Sequence, residues 1–445
     1  MKSRRIVTAG MVATMGLITL MTGSPLAQAA TSAAQGAAAG AYIVQGTSSA
    51  AASAAVTDSG GTVLAQLGFI AAVDARLSPA ALRALSSNPS VHLTPDVAMQ
   101  AVGNGYGATS QATQLAEMNL GQTWSSDAGS GVGVALIDTG VTLTPGLTAS
   151  HLVYSPDFAG DGNVSDGYGH GTFMAGLIAG NGTAGAGAVS GVAPGATLVS
   201  VKVAGAAGTT TLGRVLEGIS WAVANRIQYN IKVMSISFGA DIPVPPAMDP
   251  LDAAVEMAWA SGITVVAAAG NYGAGQVTSP GDDPWVVTVG AETTTAPVAS
   301  EAWSGSSDSK PDVFAPGQSV ISLRDPGSTV DRANPSAEVG SNYFVGSGTS
   351  MATALTAGAA AILVENHHGA TPDDIKGALI AASDSPKLSG HAGPINVAQA
   401  DRATPQQSWW QMHPTTFAIS GHDITMMPWT TAAWTTAAWT DQSWS

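Results

Sequence analysis

Val132-Gly133-Val134-Ala135-Leu136-Ile137-Asp138-Thr139-Gly140 is an unbroken apolar run that ends on a carboxylate and a glycine turn. A strand with one wet face would alternate apolar and polar residues. This one does not, so it predicts a strand buried on both sides. Similar short runs follow at Thr197 to Val203, Ile231 to Ile236, Ile263 to Ala269 and Trp285 to Val289. Between and after them, helical periodicity marks Leu212 to Ile227, Leu251 to Ala260 and Ala352 to Glu365. Buried strands interleaved with helices predict an α/β fold, a mostly parallel sheet with helices on both faces.

In such a sheet, ligands bind beyond the carboxyl ends of the strands. Asp138 ends the first strand, and Asn271 follows Ala267-Ala268-Ala269-Gly270. Two predicted helix starts add chemistry. His170 stands in Asp166-Gly167-Tyr168-Gly169-His170-Gly171-Thr172, directly before apolar Phe173 to Gly180. Ser350 stands in Gly346-Ser347-Gly348-Thr349-Ser350-Met351-Ala352, before a long run of small residues. A serine there has its backbone N–H among the donors of a helix N-terminus, which suit a developing negative charge. Its hydroxyl becomes a useful nucleophile only beside a base. His170 supplies an imidazole that titrates near neutrality and can take that proton and return it to a leaving amine. Asp138 would fix the imidazole tautomer and stabilise its charged form. Asn271 would donate its side-chain N–H to the oxyanion, beside the Ser350 backbone N–H.

Ile-Asp-Thr-Gly around Asp138, Gly-His-Gly-Thr around His170, Ala-Ala-Gly-Asn ending at Asn271 and Gly-Thr-Ser-Met-Ala around Ser350 together resemble the subtilisin-like serine proteases, the subtilases of peptidase family S8. The order Asp, His, Ser is that of subtilisin. An α/β-hydrolase would carry a glycine where Ala352 stands. The resemblance implies a subtilisin-like fold and a serine endopeptidase acting on protein or peptide substrates, with no cofactor needed for the chemistry. It implies that Ser237-Phe238-Gly239 pairs with the substrate backbone by β-augmentation. With Ala268-Ala269-Gly270, that strand would border the pocket for the side chain before the scissile bond. The family usually has proline where Ala354 stands, histidine at Phe173 and asparagine at Ser235. None of these departures removes a catalytic group, though the last two bear on specificity. Structural calcium is common in the family. Asp157, Asp161, Asn163 and Asp166 crowd one loop with suitable oxygens, but no full ligand spacing is present, so a solvated acidic loop is the competing reading.

Working outward, residues 1–30 combine Lys2, Arg4 and Arg5, an apolar run from Ile6 to Met21, and Ala27-Gln28-Ala29, the pattern of a secretory signal cleaved near Ala29 or Ala30. Residues 41–97 read as a small α+β unit. Strands are expected at Ala41 to Gln45 and Val91 to Leu93, one long or two paired strands at Thr62 to Ala75, and a helix opened by Ser78-Pro79. By resemblance this unit is an inhibitory propeptide of the I9 type, an intramolecular inhibitor removed by autocatalytic cleavage within 97–115. Residues 98–128, polar and glycine-rich, read as an exposed linker and the start of the mature region, 129–400 as the peptidase domain and 401–445 as a tail. In that tail Trp429, Trp434, Trp439 and Trp444 recur every five residues, a period that fits neither a helix face nor a strand face and suggests contact with glycan, cell wall or protein; the competing reading is a tail that packs back on the domain or stays disordered. The net charge of −15 disfavours nucleic acid as a partner. With no cysteine, a secreted chain must draw its stability from packing or bound ions. A secreted, extracellular monomer is expected. The competing function is an inactive subtilase scaffold that displays the Trp-rich tail.

Overall fold

The computed structural model describes residues 40–101, 115–121, 124–126, 128–185, 189–240, 242, 244, 248–292, 304–307, 309–383, 393–403, 417–420 and 423–426. The expected leader and the four regularly spaced tail tryptophans lie outside the described residues.

The chain first builds a small α+β unit: β1 (Gly40–Gln45), α1 (Ser49–Asp58), β2 (Thr62–Leu67), β3 (Ala72–Leu77), α2 (Pro79–Ser86) and β4 (His92–Pro95). Its antiparallel sheet has the order β2-β3-β1-β4. The Thr62 to Ala75 region is two paired strands, separated by a tight turn at Gly68–Ile70. Ser78 caps α2 as expected, its Oγ accepting from Ala81 N at 3.2 Å, with Pro79 at the first helical position. Helix α1 has no counterpart in the sequence reading. Its alanines and serines show no apolar stripe, and only Ala52 and Val56 are buried. One face of the sheet closes a local core with Val44, Val73, Leu77 and Leu85. Ile43, Leu67, Ile70 and Ala72 instead join the core of the large unit.

Next comes β5 (Ala98–Ala101), within the segment expected to be an exposed linker. Met99 in this strand and Met118 further on are 1% and 0% exposed. That expectation is therefore corrected at both places: the segment is polar on average, but each methionine is taken into the core.

The large unit is built on a sheet containing β6 (Gly133–Asp138), β7 (Leu152–Tyr154), β8 (Thr197–Lys202), β10 (Ile231–Ile236), β12 (Thr264–Ala268), β13 (Val287–Glu292) and β14 (Val313–Pro316). The order is β14-β13-β12-β10-β6-β8-β7, and all neighbours run parallel. Short β9 (Thr209–Thr211) and β11 (Phe238–Gly239) lie outside it, as do β15 (Val320–Leu323), β16 (Glu338–Val339) and β17 (Tyr343–Gly346). Helices α3 (His170–Ala179), α4 (Leu212–Ala224), α5 (Pro250–Ala260), α6 (Thr349–Asn366) and α7 (Pro372–Ala381) pack around the sheet, followed by the short α8 (Val397–Ala400). Every residue of α6 from Thr349 to Leu363 is buried. Its alanines, threonines and glycine let the helix lie close against β10, β12, β13 and α3. This is the expected α/β architecture, a subtilisin-like fold. Strands β18 (Phe417–Ser420) and β19 (Asp423–Met426) form a hairpin in the tail. Among the described residues no helix is long and apolar enough to cross a membrane.

Candidate active site

Register fixes the first corner of the site. Asp138 ends β6 with 1% exposure, and the first residue of α3, His170, is 6% exposed. His170 Nδ1 lies 2.8 Å from Asp138 Oδ1 and 3.0 Å from Oδ2. An ionised carboxylate only accepts, so the imidazole hydrogen sits on Nδ1 and Nε2 is the basic nitrogen. The carboxylate is itself held by the Thr139 backbone N–H, at 2.8 Å. A side chain at position 171 would overlap the Gly140 carbonyl oxygen, so glycine is what lets α3 start this close to the Asp138 turn.

Asp166, one of the four residues weighed in the sequence as calcium-loop oxygens, organises this corner. Its Oδ1 accepts from Thr139 Oγ1 at 2.8 Å, Tyr168 N at 3.0 Å and Gly169 N at 2.7 Å, and its Oδ2 accepts from Thr172 N at 2.8 Å. Because residue 169 is a glycine, Asp166 supplies the missing side-chain cap of α3. Burial raises its carboxyl above the usual range and nearby Asp138 adds to the rise, while the Gly169 and Thr172 amides and the Thr139 hydroxyl oppose it. The sequence signal was available: an aspartate four residues before His170, separated from it by two glycines.

Ser350 is fully buried in the first turn of α6. Asn271, just past β12, reaches that turn: its Oδ1 accepts from Thr349 N and from Thr349 Oγ1, each at 3.0 Å. Of the two side-chain amide atoms of Asn271 only Oδ1 can accept the Thr349 N–H, so this contact assigns the amide orientation and leaves Nδ2 as the donor side. Thr349 was not singled out in the sequence, yet it aims Asn271. The first turns of α3 and α6 meet at Gly346, where a Cβ would lie 3.2 Å from Phe173 Cζ and 2.5 Å from Met351 Cε. Asp138 and His170 thus touch at one helix start, Asn271 reaches the turn that bears Ser350, and these two helices pack against each other. A cleft of about 230 Å³ opens beside His170, lined by Tyr168, Phe173, Asp325, Gly346 and Met351 among others.

The segments expected to border substrate also converge. Gly270 and Gly239 both face the Thr278 hydroxyl: a Cβ at Gly270 would lie 3.0 Å from its Oγ1, and one at Gly239 would overlap it. Ala268, Ala269, Ser237 and Phe238 are all buried. Thr278, which joins these two segments, was not singled out in the sequence, because nothing around it resembles a motif. The strand β11 is already paired: Phe238 faces Ala101 and Gly239 faces Gln100 of β5, antiparallel. On its other edge β5 pairs with β9, so the chain's own segment lies between two strands of the large unit. Of the three departures, Ala354 and Ser235 are fully buried, and Phe173, 5% exposed, packs between the two helix starts.

With Lys202 in place, the loop considered for calcium does not fit the ion. Asp157 accepts from Gly160 N at 3.0 Å and Gly162 N at 2.8 Å, and Asp166 is committed to the α3 start. The oxygens of Asp161 and Asn163 surround the ammonium of Lys202.

Parallel strands whose ends bring an aspartate and an asparagine to two helix starts bearing histidine and serine define a serine-type peptidase of subtilisin-like architecture. The family profile described as Subtilase family matches residues 129–405, and the chain belongs to that family. It is 36% identical over 363 residues to "Serine protease AprX" of Bacillus subtilis (strain 168), covering 75% of this chain and 79% of that protein. To "Subtilisin E" of the same organism it is 34% identical over 333 residues, 70% of this chain and 75% of the relative. Among solved structures, fervidolysin from Fervidobacterium pennivorans, described as a keratinolytic enzyme related to subtilisin, superposes with a TM-score of 0.69 at 22% identity. That match covers 83% of this chain and 62% of the other, and it speaks to the fold.

Proposed function

We propose that the chain is the precursor of a secreted serine endopeptidase in which Ser350 attacks the scissile carbonyl, His170 Nε2 takes its proton, and Asp138 holds the imidazole and stabilises its charged form. The observation that carries this reading is the buried His170–Asp138 contact at 2.8 Å, next to a helix start whose Thr349 aims Asn271. After attack, the oxyanion lies between Asn271 Nδ2 and the Ser350 backbone N–H, each a fixed donor. His170 returns the proton to the leaving amine, and water then repeats the sequence on the acyl-enzyme. No cofactor takes part in these steps.

The pairing of β5 supports both the substrate mode and the precursor reading. An extended segment held between β9 and β11 gains main-chain hydrogen bonds on both edges, which suits substrates of varied sequence. The segment held is internal to the chain, so the groove needs no chain end, which supports endopeptidase action. Residues 41–97 then act as an inhibitor delivered with its own substrate strand. Self-cleavage is expected within a few residues after Ala101, a narrower window than 97–115.

Phenylmethylsulfonyl fluoride should label the processed protein at Ser350, and Ser350→Ala should abolish labelling, peptide hydrolysis and self-cleavage together. Absence of labelling in the processed parent would instead mark an inactive scaffold. N-terminal sequencing of the secreted product should begin between 102 and about 106; a start near residue 30 would rule out self-processing.

A further inference from the structure

Lys202 ends β8, opposite Asp138 in the parallel register, and its side chain is 1% exposed. A lone ammonium in that position would be costly to bury. Its Nζ donates to Asp161 Oδ1 and Oδ2, both at 2.9 Å, to the Ser165 carbonyl at 2.8 Å and to Asn163 Oδ1 at 3.4 Å. The acceptors alternate along one turn of chain: carboxylate at 161, amide oxygen at 163, backbone carbonyl at 165. Carboxylate, amide and carbonyl oxygens are the ligand types a hard cation takes, and these three residues supply part of the roughly six to eight it needs. The loop is also braced from within, since Asp157 accepts from Gly160 N and Gly162 N, and Ser165 Oγ donates to Asn163 Oδ1 at 2.8 Å. Immediately after the cage comes Asp166, which caps the helix bearing His170.

We propose that 161–165 is a cation loop whose cation is covalently supplied: the Lys202 ammonium fills the oxygen cage, so this loop needs no calcium, and removing the ammonium opens the cage to a free divalent ion. Charge and size both favour the ammonium in the parent chain. The cage supplies one carboxylate, which one positive charge neutralises. Its oxygens stand 2.8–3.4 Å from Nζ, whereas calcium draws its ligands to about 2.3–2.6 Å. With Lys202 shortened or neutral, the small contraction needed falls on an exposed loop, and Asp161 becomes an unpaired carboxylate that attracts a cation.

The test uses the full chain carrying Ser350→Ala, which keeps self-digestion out of every arm. Thermal midpoints are compared in chelator and in ~10 mM calcium, a concentration above the weak end of extracellular calcium sites. Calcium bound elsewhere shifts all variants alike and cancels. Parent and Asp161→Asn should respond equally to chelator. Lys202→Met should melt lower than the parent in chelator and recover by roughly 2–6 °C more than the parent on adding calcium. That extra recovery should vanish in Lys202→Met/Asp161→Asn. The proposal is overturned if chelation costs the parent stability that Asp161→Asn no longer loses, since metal would then already occupy the cage. It is equally overturned if calcium gives Lys202→Met no more than it gives the parent, or fails to recover a Lys202→Met chain that does not fold in chelator.

Discussion

Asp166 illustrates how a carboxylate outside the reacting set can govern the base. It accepts four hydrogen bonds, three from backbone amides around the start of α3 and one from Thr139. Thr139 in turn accepts from Gly171 N at 2.9 Å and donates its own amide hydrogen to Asp138. Position of the imidazole and position of its partner therefore share one anchor. In Asp166→Asn the amide would present an N–H toward a site filled with N–H donors, leaving at least one of them unsatisfied. A stability loss of about 1–3 kcal/mol is expected. Because a misplaced base slows chemistry more than binding, kcat should fall about 10- to 100-fold with KM nearly unchanged. Steady-state kinetics on a peptide substrate with a thermal melt separate the two effects. A change in KM alone would mean that Asp166 shapes the binding groove and not the base.

At the scale of elements, the small unit supplies a cap to a helix of the large one. Helix α4 begins at Leu212 with no capping bond from Thr211, its own flanking residue. The acceptor comes from the other unit: Asp96, just past β4, takes the Gly213 N–H at 2.7 Å. Asp96→Ala should lower the stability of the uncleaved precursor by about 1 kcal/mol, the usual worth of an N-cap. It should leave the melting of the processed enzyme unchanged, since that form no longer carries residue 96; calorimetry on both forms decides it. The same element view explains what could be read in advance. The Asp138, His170, Asn271 and Ser350 settings were legible because each lies at a strand end or helix start marked by glycine. Apolar runs gave β6, β8, β10 and β12 nearly to the residue, as uninterrupted burial leaves a strong pattern. Helix α1 was illegible because alanine and serine carry no periodic contrast. Strand β5 was illegible because Ala98-Met99-Gln100-Ala101 becomes a strand through its partners' edges. The Lys202 cage spans β8 and a loop some forty residues earlier in the chain, a pairing that only the parallel register creates.

The whole molecule, lacking any cysteine, holds its parts together by packing and by buried polar contacts, and one of these makes the attachment of the small unit depend on pH. Asp74 on β3 is 7% exposed, and its Oδ1 has no hydrogen-bond partner among the described residues. A Cβ at Gly213 in α4 would lie 2.8 Å from its Oδ2. The charges of Asp96 and Glu217 also act on it, opposed by Arg76 on its own strand, while Arg214 on α4 acts on Asp96 and Glu217. Burial first, then the charges of Asp96 and Glu217, push the Asp74 carboxyl from 3.8 up to about 7, and burial raises Asp96 and Glu217 as well. A carboxyl whose docked value exceeds its undocked one binds its proton more tightly in the docked state. Its contribution to docking is complete below about pH 4 and is lost as pH rises through about 7. Release of the cleaved small unit should therefore quicken from pH 5 to pH 8, by at most about tenfold per pH unit for each carboxyl involved. The lag between precursor cleavage and the appearance of peptidase activity measures it. Asp74→Asn, uncharged at every pH, should give a lag that is long throughout and much flatter with pH. A lag in the parent that lengthens toward pH 8, or an Asp74→Asn profile as steep as the parent's, would show that this interface does not set the timing.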